Sequence, residues 1–328
     1  LTLASLMTID TQNSAATITA NDIILDGSLI TGSANLDLLV SDGGEIGLGD
    51  ADKDYDLSKA ELSRITSGTT QIGGVTSGSI TVDNVSAADS DGIADMLTLD
   101  ATKNGSNIVF ETVASVFNSL TAKADDGINL SVDLTTDTGD MILEADNDNE
   151  VDTPVTGDRI FLSGARTLSS AGDMTLDATT TKISGTSTVD LSAVGDININ
   201  DDMTSVAAIT ISADSDANGT GDFNLATGAE VNSGGTQISL EANDISLLGT
   251  INAGIANLLL WTSDAGSIGL GTVAGQGMSI SGAELQSMTA SELHLGHADS
   301  GSIVVDGITS ANSANIADKV FLQATGED

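Results

Sequence analysis

The stretch from Asn21 to Thr102 is written a second time, in the same order, from Asn243 to Thr325. NDIILDGSLITGSANLDLLVSDGGEIGLG begins at Asn21, and NDISLLGTINAGIANLLLWTSDAGSIGLG begins at Asn243. Roughly six in ten of these positions are identical, which marks a true internal repeat. After a one-residue slip the match resumes. AELSRIT at Ala60 pairs with AELQSMT at Ala283, SGSITVDNVS at Ser77 with SGSIVVDGIT at Ser300, and IADMLTLDAT at Ile93 with IADKVFLQAT at Ile316. The offset is 222 to 223 residues, so the chain holds one full repeat, 1–222, and a partial second copy, 223–328. A fold compatible with this must stack on itself without changing cross-section, which a solenoid does and an ordinary globule does not. A repeat that stops part-way suggests a window on a longer array, in which text like that at Ser106 (Ser-Asn-Ile-Val-Phe) follows shortly after Asp328.

Composition narrows the choice. Aromatic residues make up 2% of the chain, too few to fill two ordinary cores, although 40% of it is apolar. A thin aliphatic core repeated many times satisfies both figures. Acidic residues number 48 and basic ones 9, a net charge of −39, which leaves no basic patch for nucleic acid and disfavours anionic membrane. No apolar run is long enough to span a bilayer. With no cysteine, burial and hydrogen bonds alone hold the fold. The first residue is Leu1, not Met, which suggests an upstream part removed or left out.

Between the two copies, short phrases alternate apolar and polar residues behind a Gly-Asp or small polar pair. They include GDMILEAD at Gly139, GDRIFLSG at Gly157, GDMTLDAT at Gly172, GDININDD at Gly195, GDFNLATG at Gly221 and TQISLEAN at Thr236. Period-two alternation reads as strands. Two-residue hairpin signals of the Asn-Gly type are rare, confined to Asn104-Gly105 and Asn218-Gly219, which favours parallel coils over hairpins. The expected fold is therefore an all-β parallel β-solenoid, a single continuous one over 1–328. At about 20 residues and ~4.8 Å per coil it would form about 16 coils and a rod of roughly 75–80 Å. Val113, Val116, Phe117 and Leu120 have helical spacing and predict one short helical insertion.

The phrases GDMTLDAT, SGSITVD and GEIGLG, and the longer run IGLG…LS-x-AEL-x-x-IT…SGSITVD, resemble the coils of filamentous-haemagglutinin-type exoproteins and related giant bacterial β-strand-repeat surface adhesins. The resemblance implies a right-handed parallel β-helix, secretion, and display on the outer surface of a bacterium. It transfers no functional residues. The sequence lacks the amino-terminal secretion domain of such exoproteins, which leaves the export route open.

Two acidic loops have calcium-ligand spacing. Asp50, Asp52, Asp54, Asp56, Ser58 and Glu61 fall at positions 1, 3, 5, 7, 9 and 12 of a twelve-residue loop, with Tyr55 where a glycine is usual. The second copy has lost the four aspartates while keeping the flanks. Ser58 with Glu61, and Ser281 with Glu284, also match a capping box, so both copies are expected to start a helical turn there. Asp214, Asp216, Asn218 and Asp222 form the second loop, with Gly219 at the sixth position and Leu225 where a bidentate glutamate belongs. Asp146, Asp148, Glu150 and Asp152 form a third acidic stretch that reads as an exposed loop before Pro154. For all three, a solvated acidic turn is the competing reading. Asn84, Asn104, Asn129 and Asn218 head glycosylation sequons.

His294 and His297 are the only histidines, set in a strand-then-turn context that makes them surface residues before metal ligands. With no cysteine and no third histidine, a nucleophile–His triad has few components to draw on. Paired carboxylates of a sugar-cleaving enzyme are expected by chance among 48 acids, and Arg64, Arg159 and Arg166 are scattered. Trp261 replaces Leu39 of the first copy, and its size-tolerant slot reads as core before a sugar-stacking face. The sequence thus predicts a non-enzymatic structural segment of a rod or filament, extracellular and at a bacterial surface, whose chief partner is itself, coil on coil. A surface glycan or protein is the alternative partner. No cofactor is required, with Ca2+ the one ion the loops would take.

Overall fold

The computed structural model describes residues 1–148, 157–179, 181–298 and 300–324. Alternation does locally what the phrases predict. In Leu36–Val40 the side chains of Leu36, Leu38 and Val40 point inward and are buried, while Asp37 and Leu39 point outward. Short strands of this kind pair in parallel with strands of the neighbouring coil, and the fold is an all-β solenoid of stacked parallel sheets.

The chain divides into two compact units. The first comprises Leu1–Ser163, Ser169–Ala171 and Asp177–Thr181; the second comprises Gly164–Leu168, Gly172–Leu176 and Lys182–Asp328. In the first unit, Ile46, Ile80, Ile108, Ile128 and Ile160 are successive in-register partners and form one buried column. Leu48, Val82, Phe110, Leu130 and Leu162 form the next. In the second unit the columns run through Val189, Ile209, Ile238, Leu258 and Leu293, and through Ile197, Phe223 and Ile245. Mostly aliphatic side chains, with Phe110 and Phe223 among them, stack at the ~4.8 Å strand spacing and fill the interior, and each one buried contributes about 1.5–3 kcal/mol.

Coils are not uniform, contrary to the expectation of about 20 residues each. Partners Ile108 and Ile128 are 20 residues apart, but Ile46 and Ile80 are 34 apart and Leu258 and Leu293 are 35 apart. The long coils carry an extra excursion. Ile46–Gly49 runs into a short return loop, and Tyr55–Ser58 then comes back to pair with it in parallel. Parallel neighbours usually need a crossover of about a dozen residues; here residues 50–54 suffice. Gly49 makes the turn possible: its φ is +81°, and a Cβ there would meet the Asp83 carbonyl oxygen at 2.0 Å.

The second copy repeats this plan element for element. Ile268–Gly271 lies between Met278–Ile280 and Ile303–Asp306, as Ile46–Gly49 lies between Tyr55–Ser58 and Ile80–Asp83. The one-residue slip of the alignment falls in the return loop, 50–54 in one copy and 272–277 in the other.

The helix expected around Val113–Leu120 is not formed. Ser115–Phe117 and Leu120–Ala124 are strands that turn inward on either side of a corner at Asn118, so Phe117 and Leu120 are both buried and imitate helical spacing. Asn118 secures that corner by donating from Nδ2 to the Ile93 carbonyl (2.9 Å). Among the described residues the helices are Lys59–Leu62, Ala87–Ser90 and Gly282–Gln286, each a single turn with a capping box.

Candidate functional site

Two phrases that both copies keep intact, NDI and AEL, meet in space. In the first copy Asp22 Oδ1 accepts from the Ile23 N–H (2.8 Å) and from the Asp56 N–H (3.2 Å). Glu61 Oε2 accepts from the Ser58 N–H (2.9 Å) and hydroxyl (2.7 Å), while its Oε1 accepts from the Leu25 N–H (2.9 Å). In the second copy Asp244 Oδ1 accepts from the Ile245 N–H (2.9 Å) and the Ser279 N–H (2.8 Å). Glu284 accepts from the Ser281 N–H (2.8 Å) and the Leu247 N–H (3.2 Å). Each pair of carboxylates forms a clasp that fastens the returning strand to the coil before it. Glu61 was read from sequence as a calcium ligand and a cap. Its cap role is present, and both oxygens are engaged by N–H groups.

A second device runs through the Gly-Asp phrases of the second unit. Asp173 Oδ1 accepts from the Asp196 N–H (2.8 Å), Asp196 Oδ1 from the Asp222 N–H (2.8 Å), and Asp222 Oδ1 from the Asp244 N–H (3.0 Å). One aspartate per coil thus hooks the backbone of the next. Burial pushes the Asp196 carboxyl above its ordinary range despite the bond from Asp222, and like charge on Asp173 and Asp222 adds to it. Asp244 is raised in the same way, by burial and then by Asp222 and Glu284. Thr175, Asn198 and Asn224 make a parallel amide ladder, with Asn224 Nδ2 donating to Asn198 Oδ1 at 3.1 Å.

The twelve-residue acidic loop is divided among three elements. Asp50, Asp52 and Asp54 occupy or adjoin the return loop, Asp56 sits in the strand, and Glu61 sits in the helix. Asp50 Oδ2 accepts from Lys59 Nζ (2.7 Å) and Asn84 Nδ2 (2.6 Å), and these bonds hold its carboxyl below the usual range. Asp56 lies half-buried with Oδ1 lacking a hydrogen-bond partner, and its pKa rises to about 6, through burial first and then the charges of Glu61, Asp52 and Asp22. Burial likewise raises the Tyr55 phenol, whose OH is buried without a partner.

The second loop is closed on itself. Asp214 accepts from the Asn218 N–H (2.8 Å), the Gly219 N–H (3.0 Å) and the Ser263 hydroxyl (2.5 Å), and Asp216 Oδ2 accepts from Asn218 Nδ2 (2.9 Å). Asp222 belongs to the aspartate ladder. Among the described residues, no three His, Asp or Glu side chains converge as a metal site. Of the third stretch, Glu150 and Asp152 lie outside the described residues.

Trp261 overturns the expectation of a core side chain. In Leu258–Thr262 the inward positions are Leu258, Leu260 and Thr262, so Trp261 faces out and is half-buried, as Leu39 is in its own strand. Sequence reasoning compared residue types across copies but not strand parity, and parity places both residues outside. Trp261 borders a surface hollow of about 410 Å³ together with His297, whose ring centroid lies 5.9 Å away. His294 projects elsewhere, against Phe321 (4.5 Å) and Glu292 (3.0 Å), so the two histidines do not act as a pair. No family model matches the chain, and neither curated proteins nor solved structures give a match.

Proposed function

We propose that this chain is a structural repeat segment of an extracellular rod or filament at a bacterial surface, with a mechanical rather than catalytic role. The observation that carries this reading is that the duplicated text reproduces the same return strand, the same pairings around it and the same carboxylate clasp. A block that regenerates its own stacking surface can be repeated to set a length. The resemblance to giant surface adhesins supports the location.

Coil-on-coil association is part of the proposal. In the first copy Val82 and Leu99 are fully covered, being paired with Phe110 and Ala122 of the following coil. Their second-copy equivalents Val305 and Leu322 are 46% and 48% exposed. A coil patterned like Ile108–Phe110 and Leu120–Ala124, supplied by polypeptide of the same repeat, fits this surface. Polypeptides carrying two and four complete repeats, imaged by electron microscopy, test the reading. Rods of equal width whose length doubles support it; particles that grow in width refute it.

A further inference from the structure

The hollow beside Trp261 is built from positions at which the two copies differ in a concerted way. Ser263, Asp264 and Ser300 keep the residues of Ser41, Asp42 and Ser77. Leu39 has become Trp261 and Gly74 has become His297, and these two changes are neighbours in space. In the first copy a Cβ on Gly74 would lie 3.6 Å from Leu39 Cδ2, and in the second the rings of His297 and Trp261 are 5.9 Å apart. Glu241 is the in-register partner of Trp261 on the preceding strand, so a carboxylate flanks the indole on one side. Asp264 closes the rim, held in place by the Gly266 N–H (2.8 Å). The floor is fixed by the Ser263 hydroxyl on buried Asp214 (2.5 Å).

Among the described residues, no lysine or arginine lines this space. An aromatic face with two carboxylates beside it suits a group that is cationic and brings only hydrogens. Thr262 and Ser263 give their hydroxyl hydrogens to the Gly266 carbonyl and to Asp214, so a neutral polyol would find few donors here to match its own acceptor oxygens, and an anion would be repelled. The volume of about 410 Å³ lies in the range of small-molecule sites. We propose that this hollow binds an organic ammonium group on a small body, with the cation over the Trp261 ring and its hydrogens on Glu241 and Asp264.

Because Trp261 is the only tryptophan, its emission reports on this site alone. The intact chain is titrated with tetramethylammonium chloride, glucosamine, N-acetylglucosamine, and sodium chloride at matched ionic strength. Saturable change with the two cations, absent with N-acetylglucosamine and sodium chloride, is expected. Glu241→Gln, which retains the tryptophan, should weaken the response by about fivefold to tenfold with the melting temperature unchanged. Calorimetry on Trp261→Leu, which restores the first-copy residue, should show binding lost. An equal response to N-acetylglucosamine makes the site one for neutral sugar and overturns the proposal. So does a response that sodium chloride reproduces, or none to either organic cation. An unaltered affinity in Glu241→Gln overturns it as well.

Discussion

Glu61→Ala removes one side chain and three hydrogen bonds. The Ser58 N–H and hydroxyl lose their acceptor at the helix start, a capping loss of about 1 kcal/mol. The Leu25 N–H loses its acceptor too. Leu25 is fully buried, and a buried donor left unpaired costs about 1–3 kcal/mol. Together the clasp is worth roughly 2–4 kcal/mol locally, or a 30- to 1,000-fold change in an opening equilibrium. Hydrogen exchange followed by NMR or mass spectrometry reads this directly at the Leu25 amide. Exchange there should accelerate by that factor in Glu61→Ala, and by less in Glu61→Gln, which keeps one acceptor oxygen. The second copy supplies the control: Glu284→Ala should release the Leu247 amide and leave Leu25 protected. If Leu25 exchanges at the parent rate in a folded Glu61→Ala protein, the clasp contributes nothing and the account of the AEL phrase is wrong.

Two further outcomes follow from burial. The folded pKa of Asp56, about 6, lies above its ordinary 3.8, so the fold holds a proton that the unfolded chain has released between those values. Its contribution favours the fold at low pH and is lost as pH rises from about 4 to 6. Asp56→Asn should therefore raise the melting temperature at neutral pH and by less at pH 4.5; a variant equally shifted at both would contradict the assignment. Phe223 is fully buried between Ile197 and Ile245, and Phe223→Ala should cost about 3–5 kcal/mol in urea unfolding. A loss below about 1 kcal/mol would mean that the column collapses around the gap and is not close-packed.

The solenoid was legible because its two signatures are local: alternation over three to five residues, and one repeat long enough to align with itself. Coil length was not, because strands at 20 and at 34 residues' separation look alike until the return loop is seen to be an added strand. The spacing of Val113, Val116, Phe117 and Leu120 misled for a related reason. A corner between two inward-facing strands places apolar residues three apart, as a helical turn does. The candidate sites were half legible. Ser58 and Glu61 announced their cap, but the reach of Glu61 to Leu25 spans 36 residues and has no local sign. Comparing the copies held the clue, since Asp22 and Glu61 recur as Asp244 and Glu284 while Asp50, Asp52 and Asp54 do not.

The aspartate ladder also gives the molecule a sense of direction. At every step from Asp173 to Asp244 the carboxylate belongs to the earlier coil and the N–H to the later one. Along this ladder the side facing forward along the chain therefore offers carboxylates, and the side facing backward offers N–H groups. Two such surfaces fit only forward against backward. Turned the other way, a junction would set carboxylates against carboxylates or N–H groups against N–H groups. An array that continued this ladder would be polar, with two unlike ends, by the same one-way rule that orders these coils within one chain.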